Sequence, residues 1–341
     1  MKKSLLMVAA MLSCALITLP SCGDDDPIKD LEKPEPEKPV NPEKPEPEKP
    51  AEEAKEMTVD ATAYDKWVYV NLSDGSTETQ VIDPVSGVYK GNVNVNVAGK
   101  DQGNIENLNL TISRIEGDSV QIELKDLAFG KMKIDVVKCG AKVEVDSIGD
   151  KVGYVLVGSE AVTEVNGMTI KATPKGHVIG KDIDLKISVI PGGMPMPIAA
   201  TYTGKLEAGV NQPTINWDLA FHRWDVKTNG GAAVETAETV LENLKEIPAE
   251  GYKEDTENNE ITVDMRLMQS GKIGYATDFV NEVLSGWMNV DMNNMPPAYT
   301  MNEKVYVFKT SAGKFIKVKF TDFTDDKGKK GHVTFKYVEC K

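Results

Sequence analysis

"GNVNVNVAG", residues 91–99, sets asparagine against valine in strict alternation. A β-strand turns successive side chains to opposite faces, so a period of two marks a strand with one face buried. The same pattern recurs in "KWVYVNL" (66–72), "NLNLTISRI" (107–115), "SVQIELKDL" (119–127), "KMKIDVV" (131–137) and "AKVEVDSI" (141–148), with Gly, Asp and Asn between the runs. Short, evenly spaced strands broken by turn residues predict an all-β sandwich or barrel. Helical spacing is confined to "AETVLENLKEIP" (237–248), which stops at Pro248, and "ATDFVNEVLSGW" (276–287).

The beginning of the chain has a different character. "MKKSLLMVAAMLSCALITLPSC" joins two lysines to a short apolar run and ends in small residues, the composition of an export signal rather than a membrane span. Leu19-Pro20-Ser21-Cys22 resembles the lipobox of bacterial lipoproteins. That resemblance implies a signal peptide over 1–21, removal of Cys14 with it, and acylation (palmitate included) of Cys22 at the new N-terminus. The plainer alternative is an ordinary secreted protein. Gly23-Asp24-Asp25-Asp26 resembles the surface-export signal of Bacteroidetes lipoproteins, implying a lipid anchor on the outer face of the outer membrane. Next, "KPEPEKPVNPEKPEPEKPAEEAKE" (33–56) repeats Glu-Lys-Pro and carries no aromatic residue. Proline at this density stays extended at roughly 3.1 Å per residue, so residues 22–56 are a disordered, Pro/Glu/Lys-rich stalk reaching on the order of 70 Å.

About 285 residues remain, enough for two domains. A net charge of −14 argues against nucleic acid or an anionic membrane surface as partner. The membrane contact that the lipobox resemblance implies is the lipid at Cys22. Two cysteines lie in the mature body, Cys139 and Cys340, too few for a disulfide framework; whether they pair is open.

Two resemblances organise the body. Ser86-Gly87-Val88-Tyr89-Lys90-Gly91 opens a segment that Ala200-Thr201-Tyr202-Thr203-Gly204-Lys205-Leu206 closes. It resembles the calycin-like (lipocalin-like) meander β-barrel of Bacteroidetes lipoproteins, placed at 84–207. Barrels of this size are filled by side chains or hold one small ligand, and the residues do not choose between these. "GGMPMP" (192–197) reads as loop packing. The flanks, 57–83 and 208–341, carry four further blocks: "ATAYDKWVY" in the first strand, "WDLAFHRWDVKTN" (217–229), "VYVFKTSAGKFIKVKF" (305–320) and "GHVTFKY" (331–337). With 84–207 set aside, these resemble the HmuY family of haem-binding lipoproteins of Bacteroidetes. The resemblance implies a discontinuous HmuY-like β-rich domain with the calycin-like unit inserted after its first strand.

In that family two axial histidines from neighbouring hairpins clamp the haem iron, and some relatives use methionine. His222 lies in a block where the family keeps a histidine for its scaffold; His177 falls in the inserted unit, and His332 on the last strand. A bis-His site is therefore not implied. "GWMNVDMNNMPPAY" (286–299) instead supplies methionines in a loop, and alignment on Gly286-Trp287 and Tyr299 puts Met292 at the second axial position. The first falls in "ITVDMRLMQSGKIGY" (261–275), where Met268 is the nearest competent side chain, Met265 the fallback, and Met295 a reserve from the second loop. Tyr275, Trp287 and Tyr299 are candidates to flank the porphyrin, with ordinary core packing as the competing reading. Lys272 is a candidate for a propionate, and Met288 and Met301 read as core. Thioether sulfur favours ferrous iron. The implied ligand is haem b, and the implied partner an outer-membrane TonB-dependent haem receptor.

No His/Cys metal spacing, Gly-x-Ser-x-Gly or phosphate loop points to an enzyme, and "DFTDDKG" (322–328) lacks the oxygen pattern of an EF-hand. Two readings follow. One is a hemophore-like surface lipoprotein for haem and iron acquisition. The other is a surface adhesion or glycan/protein-interaction lipoprotein that has lost haem, with the inserted barrel as its working surface.

Overall fold

A computed structural model describes residues 53–340 apart from 131, 166, 193–195, 210 and 295. The signal peptide, Cys22, the stalk up to residue 52, Met295 and part of the Met-Pro loop thus lie outside the described residues. The all-β expectation holds: strands dominate, joined by two 3-10 turns and one helix of four residues, Glu282–Ser285.

The alternating stretch that opens the sequence belongs to Gly87–Val97, one strand of a nine-stranded sheet drawn wholly from Gly87 to Gly209. Ala161–Val165 pairs only with Met168–Ile179, while Met168–Ile179 also pairs with Asp182–Pro191, so the other eight strands close into a ring. Asp182–Pro191 shows the logic most clearly, its residues alternating exposed and buried along the whole strand. Leu110, Ile112, Ile122, Leu124, Leu185, Ile187 and Val189 all turn inward and are fully buried. Side chains therefore fill the ring, which decides the question the residues left open.

The Tyr-x-Gly motifs close the ring where its first and last strands meet. Gly91 and Gly204 face each other in register, and a Cβ on Gly91 would stand 2.1 Å from the Thr203 carbonyl oxygen and 2.6 Å from the Gly204 Cα. Only glycine permits that approach. The Tyr202 ring passes over Gly204, and its hydroxyl lies 2.8 Å from the Tyr89 carbonyl and 3.0 Å from that of Leu108. The Tyr89 hydroxyl donates to the Val85 carbonyl at 2.7 Å. Both buried phenols thus find the partners that burial demands.

Outside the ring, besides two hairpins, the described residues form two larger sheets whose strands come from both sides of it. Lys55–Asp60 pairs along its length with Lys330–Cys340, in a six-stranded sheet with Phe315–Thr324, Tyr306–Lys309, Ala232–Glu235 and Lys253–Glu254. A four-stranded sheet runs in the order Asp225–Thr228, Leu219–His222, Lys66–Val70, Thr77–Val81. Its central strands are buried on both faces. Trp67, Tyr69 and Ala220 join the core continuous with the ring. Val68, Val70, Leu219 and Phe221 join a second core with Phe320, Phe335 and Trp287 from the six-stranded side.

Three expectations are corrected. The stalk's boundary moves back slightly, because Lys55 already pairs with Tyr337. Residues 237–248 form only a 3-10 turn, Leu241–Asn243. A helix of twelve residues is marginal without tertiary support. Here the carbonyls of Ala237, Thr239 and Leu244 accept hydrogen bonds from Lys304, Lys319 and Lys317, while Leu241 and Leu244 pack on Val305 and Val307. Over 276–287, strand persists to Val280, and the helix is limited to one turn between its Asn281 cap and Gly286. Cys139 and Cys340 are both unpaired; Cys139 is buried in the ring core, where desolvation raises its thiol pKa to about 12.

The Gly91–Gly204 contact makes a direct prediction. Gly91→Ala should destabilise the fold by about 3 kcal/mol, as overpacking against backbone does. Gly209→Ala, whose Cβ would meet nothing within 4 Å, should stay within about 0.5 kcal/mol of the parent. Urea denaturation of the two variants checks this, and equal midpoints would show that the ring does not close at those glycines.

Candidate functional site

The candidate ligands sit on two hairpins, and each hairpin is tied down by short-range chemistry. The first pairs Thr256–Asp264 with Gly274–Val280. Ile261, Val263, Ala276 and Val280 bury one of its faces in the ring-side core. Its tip contains the 3-10 turn Met268–Ser270, closed by Gly271 at φ +72°, whose N–H donates to the Met268 carbonyl. Two ion pairs fasten this tip to the ring. Arg266 spans Asp264, at 2.7 Å, and Asp118, at 3.2 Å, while Lys272 Nζ lies 2.6 Å from Asp146. Lys272, the expected propionate partner, is therefore already engaged by a ring carboxylate. The hydrogen bond from Lys272 holds the Asp146 carboxyl below its usual pKa, and that from Arg266 does the same for Asp264.

The second hairpin pairs Met288–Asp291 with Ala298–Met301. Met288 and Met301 lie directly opposite each other against the second core, so both are packing residues, as their alternation implies. The Asp291 carboxylate accepts from the Asn293 backbone N–H at 2.9 Å, from Asn293 Nδ2 at 3.0 Å and from Asn294 Nδ2 at 2.7 Å. Those bonds fix the loop that presents Met292, whose side chain is 62 % exposed. Met268 is 46 % exposed on the other tip. An apolar thioether left in water at the apex of a hydrogen-bonded turn adds nothing to the core.

The remaining candidates are distributed unevenly. Met265 is half-buried and lines a cavity at the mouth of the ring. Tyr275 is half-buried opposite Thr262. Tyr299 is half-buried, with Trp224 and Phe323 against its ring and the Lys330 ammonium 3.9 Å above it. Trp287 is fully buried, stacked on Phe320 at 4.5 Å, with its indole N–H donating to the Trp224 carbonyl. Its role is in the second core. The structure thus brings Met292, Tyr299 and Met288 onto one hairpin and Met265, Met268 and Tyr275 onto another, each hairpin packed on a different core.

The "WDLAFHRWDVKTN" block proves to be a brace. His222 is 1 % exposed, with Nε2 2.7 Å from the Tyr64 carbonyl and Nδ1 3.2 Å from Asp225. Both ring nitrogens are engaged by oxygen partners, so neither is free for a metal. Arg223 takes φ +54° in the two-residue turn, donates to the carbonyls of Thr62 and Lys330 and lies over the Tyr64 ring. Asp218 accepts from Leu72 N–H, and Asn229 donates to the Trp217 carbonyl. Sequence reasoning missed Lys227, buried over Trp67 at 4.3 Å and paired with Asp278 at 2.8 Å. It also missed Tyr154, Arg114 and Arg266 around the ring's mouth. No spacing in the chain joins those three, because they meet only through the fold.

The fold is a β scaffold from which two anchored hairpins project. A family model, HmuY protein, matches residues 63–337, a span that includes the ring. The chain belongs to the HmuY family, which includes haem-binding proteins. Among solved structures it is similar to an apo HmuY analog (TFO) of Tannerella forsythia, with 24 % identity over 83 % of this chain and 94 % of that one, at a TM-score of 0.41. It is also similar to apo PinO of Porphyromonas gingivitis, with 22 % identity over 85 % and 99 % of the two chains and a TM-score of 0.46. No curated protein matches.

The anchoring of the first tip is testable. Arg266→Ala with Lys272→Ala should raise amide exchange over 265–273 about fivefold while changing global stability by about 1 kcal/mol or less, since the pairs are largely exposed. Both carboxyl pKa values are depressed in the fold, so their contribution is present above the ordinary carboxylate pKa of about 4 and is lost as pH falls through the lower folded values. Protection of the tip, measured against the intrinsic exchange rate at each pH, should therefore fall only in acid. A tip indifferent to both changes would mean the ion pairs do not hold it.

Proposed function

We propose that this protein is a surface lipoprotein that captures haem and offers it to an outer-membrane receptor, with the iron held by methionine. Membership of the HmuY family supports haem as the ligand. The observation that carries methionine ligation is Met292, exposed at the apex of a turn that Asp291 fixes. Met268, exposed on the companion hairpin, is the proposed second ligand, with Met265 and Met295 as alternatives on the two loops. All three histidines are poorly placed for the task. His222 is locked in the brace, His177 is paired into the ring opposite Asp184, and His332 lies on the terminal strand.

The donor chemistry fits the ligand. Thioethers are soft, bind ferrous iron in preference to ferric, and need no deprotonation. Tyr299 lies on the same hairpin as Met292, and Lys330, 3.9 Å over its ring, supplies a cation there. The lipid anchor at Cys22 and the proline-rich stalk would hold this body away from the membrane, within reach of a TonB-dependent receptor. The calycin-like reading of the ring belongs to the same proposal, as a unit set into the HmuY-like scaffold between its first strands and the His222 brace.

Haemin titration of residues 53–341, before and after dithionite, tests the reading. A saturable Soret shift should appear and sharpen on reduction. Loss of an outer-shell residue typically weakens metal binding by about 10- to 100-fold, so Met292→Ala should weaken ferrous binding by at least tenfold. Met288→Leu, a core change, should leave binding intact. A spectrum matching free haemin in both redox states, or equal affinity in Met292→Ala, would remove the proposal.

A further inference from the structure

Haem carries two propionate carboxylates, and a chain with a net charge of −14 repels such an anion unless a cation stands at the site. The two hairpins that carry the candidate ligands have little to offer. Arg266 and Lys272 are the basic residues of the first. Arg266 is shared between Asp264 and Asp118, and Lys272 lies 2.6 Å from Asp146. The second hairpin, 288–301, contains no lysine or arginine.

A cation reaches the second hairpin from another element. Lys330 opens the strand Lys330–Cys340, where it pairs with Thr324. Its carbonyl accepts from the Arg223 guanidinium at 3.3 Å. The next residue, Gly331, takes φ +106°, and a Cβ there would stand 2.5 Å from that guanidinium and 2.8 Å from the Thr62 Cα. Glycine is what lets the brace come so close. The backbone of Lys330 is thus fixed, while its side chain is exposed, with the ammonium 3.9 Å over the Tyr299 ring and no ion pair to a carboxylate among the described residues. Its neighbour Lys329 turns elsewhere, with Nζ 3.4 Å from Thr62 Oγ1.

Register places this ammonium near Met292. Tyr299 lies opposite Val290, at about 5 Å between α-carbons. Met292 is two residues beyond Val290, at most about 7 Å further along the chain. The thioether and the ammonium are therefore separated on the scale of a porphyrin, whose propionates leave its edge. A cation held over an exposed ring is held weakly, whereas a bond from an ammonium to a carboxylate is charge-assisted and stronger.

We infer that Lys330 binds a haem propionate and so orients the porphyrin, with its acidic edge toward the terminal strand. The inference rests on the haem reading and adds to it a specificity: the site selects porphyrins that keep a free carboxylate.

Titration of the detergent-solubilised full chain, reduced with dithionite, with haem and with haem dimethyl ester tests this. The ratio of the two affinities in Lys330→Gln should fall about three- to fivefold below that of the parent, the worth of one exposed ion pair. Lys330→Arg should keep the parent's ratio. Lys329→Gln, which removes the same charge from the adjacent residue, should keep it too. An unchanged ratio in Lys330→Gln overturns the inference and leaves haem binding standing. An equal fall in Lys329→Gln also overturns it, because the charge of the turn rather than a contact would then be responsible. A parent that binds neither porphyrin removes the haem reading, and this inference with it.

Discussion

Strands Lys66–Val70 and Leu219–His222 are buried on both faces, and the rest of the molecule is arranged around that constraint. Alternate residues of one short strand serve two cores, Trp67 and Tyr69 on the ring side and Val68 and Val70 on the other. Burying a side chain of this size contributes about 1.5–3 kcal/mol, so the shared layer couples the two cores strongly. It also fixes topology. The two strands pair although nearly 150 residues separate them, and the intervening chain must leave and return at one place. The ring, closed at Gly91 and Gly204, is the structure that lets it do so.

The His222 brace is what fixes that return in register. His222 binds the Tyr64 carbonyl, Arg223 binds the Thr62 carbonyl, and Asp218 binds Leu72 N–H, so residues 61–72 are gripped along their length by 218–223. From this layer the hairpins diverge. Asp255 ties the base of the first hairpin to Thr228 and to Asn281, the cap of the helix that leads into the second. The carboxylate is buried enough that desolvation raises its pKa, despite the hydrogen bonds that oppose the shift. The loop tips are thereby carried on sheets that hold them in place.

Much of the fold is legible in the chain because period-two patterning survives translation into structure almost unchanged, as Asp182–Pro191 shows residue by residue. The Tyr-x-Gly motifs are legible too, since a glycine opposite a glycine has one steric explanation. Residues 237–248 were misleading for a physical reason. Leu241 and Leu244 carry a helical spacing, yet lysines from the neighbouring strands claim the carbonyls a helix would need. Aromatic type does not say which side of Trp287 faces the core; the structure stacks its ring on Phe320 within the second core. The ring-mouth cavity was invisible. Tyr154, Val263 and Ile82 share no periodicity, and only tertiary packing brings them together.

Exposed methionines at the apices of two anchored tips are the feature that the scaffold alone does not explain, and iron ligation by sulfur is the claim that rests on them. X-ray absorption at the iron edge of the dithionite-reduced haem complex measures it most directly. The account predicts a sulfur shell beside the four porphyrin nitrogens, absent from the Met292→Ala complex. A first shell of nitrogen and oxygen alone, in a complex that still binds haem tightly, would contradict it.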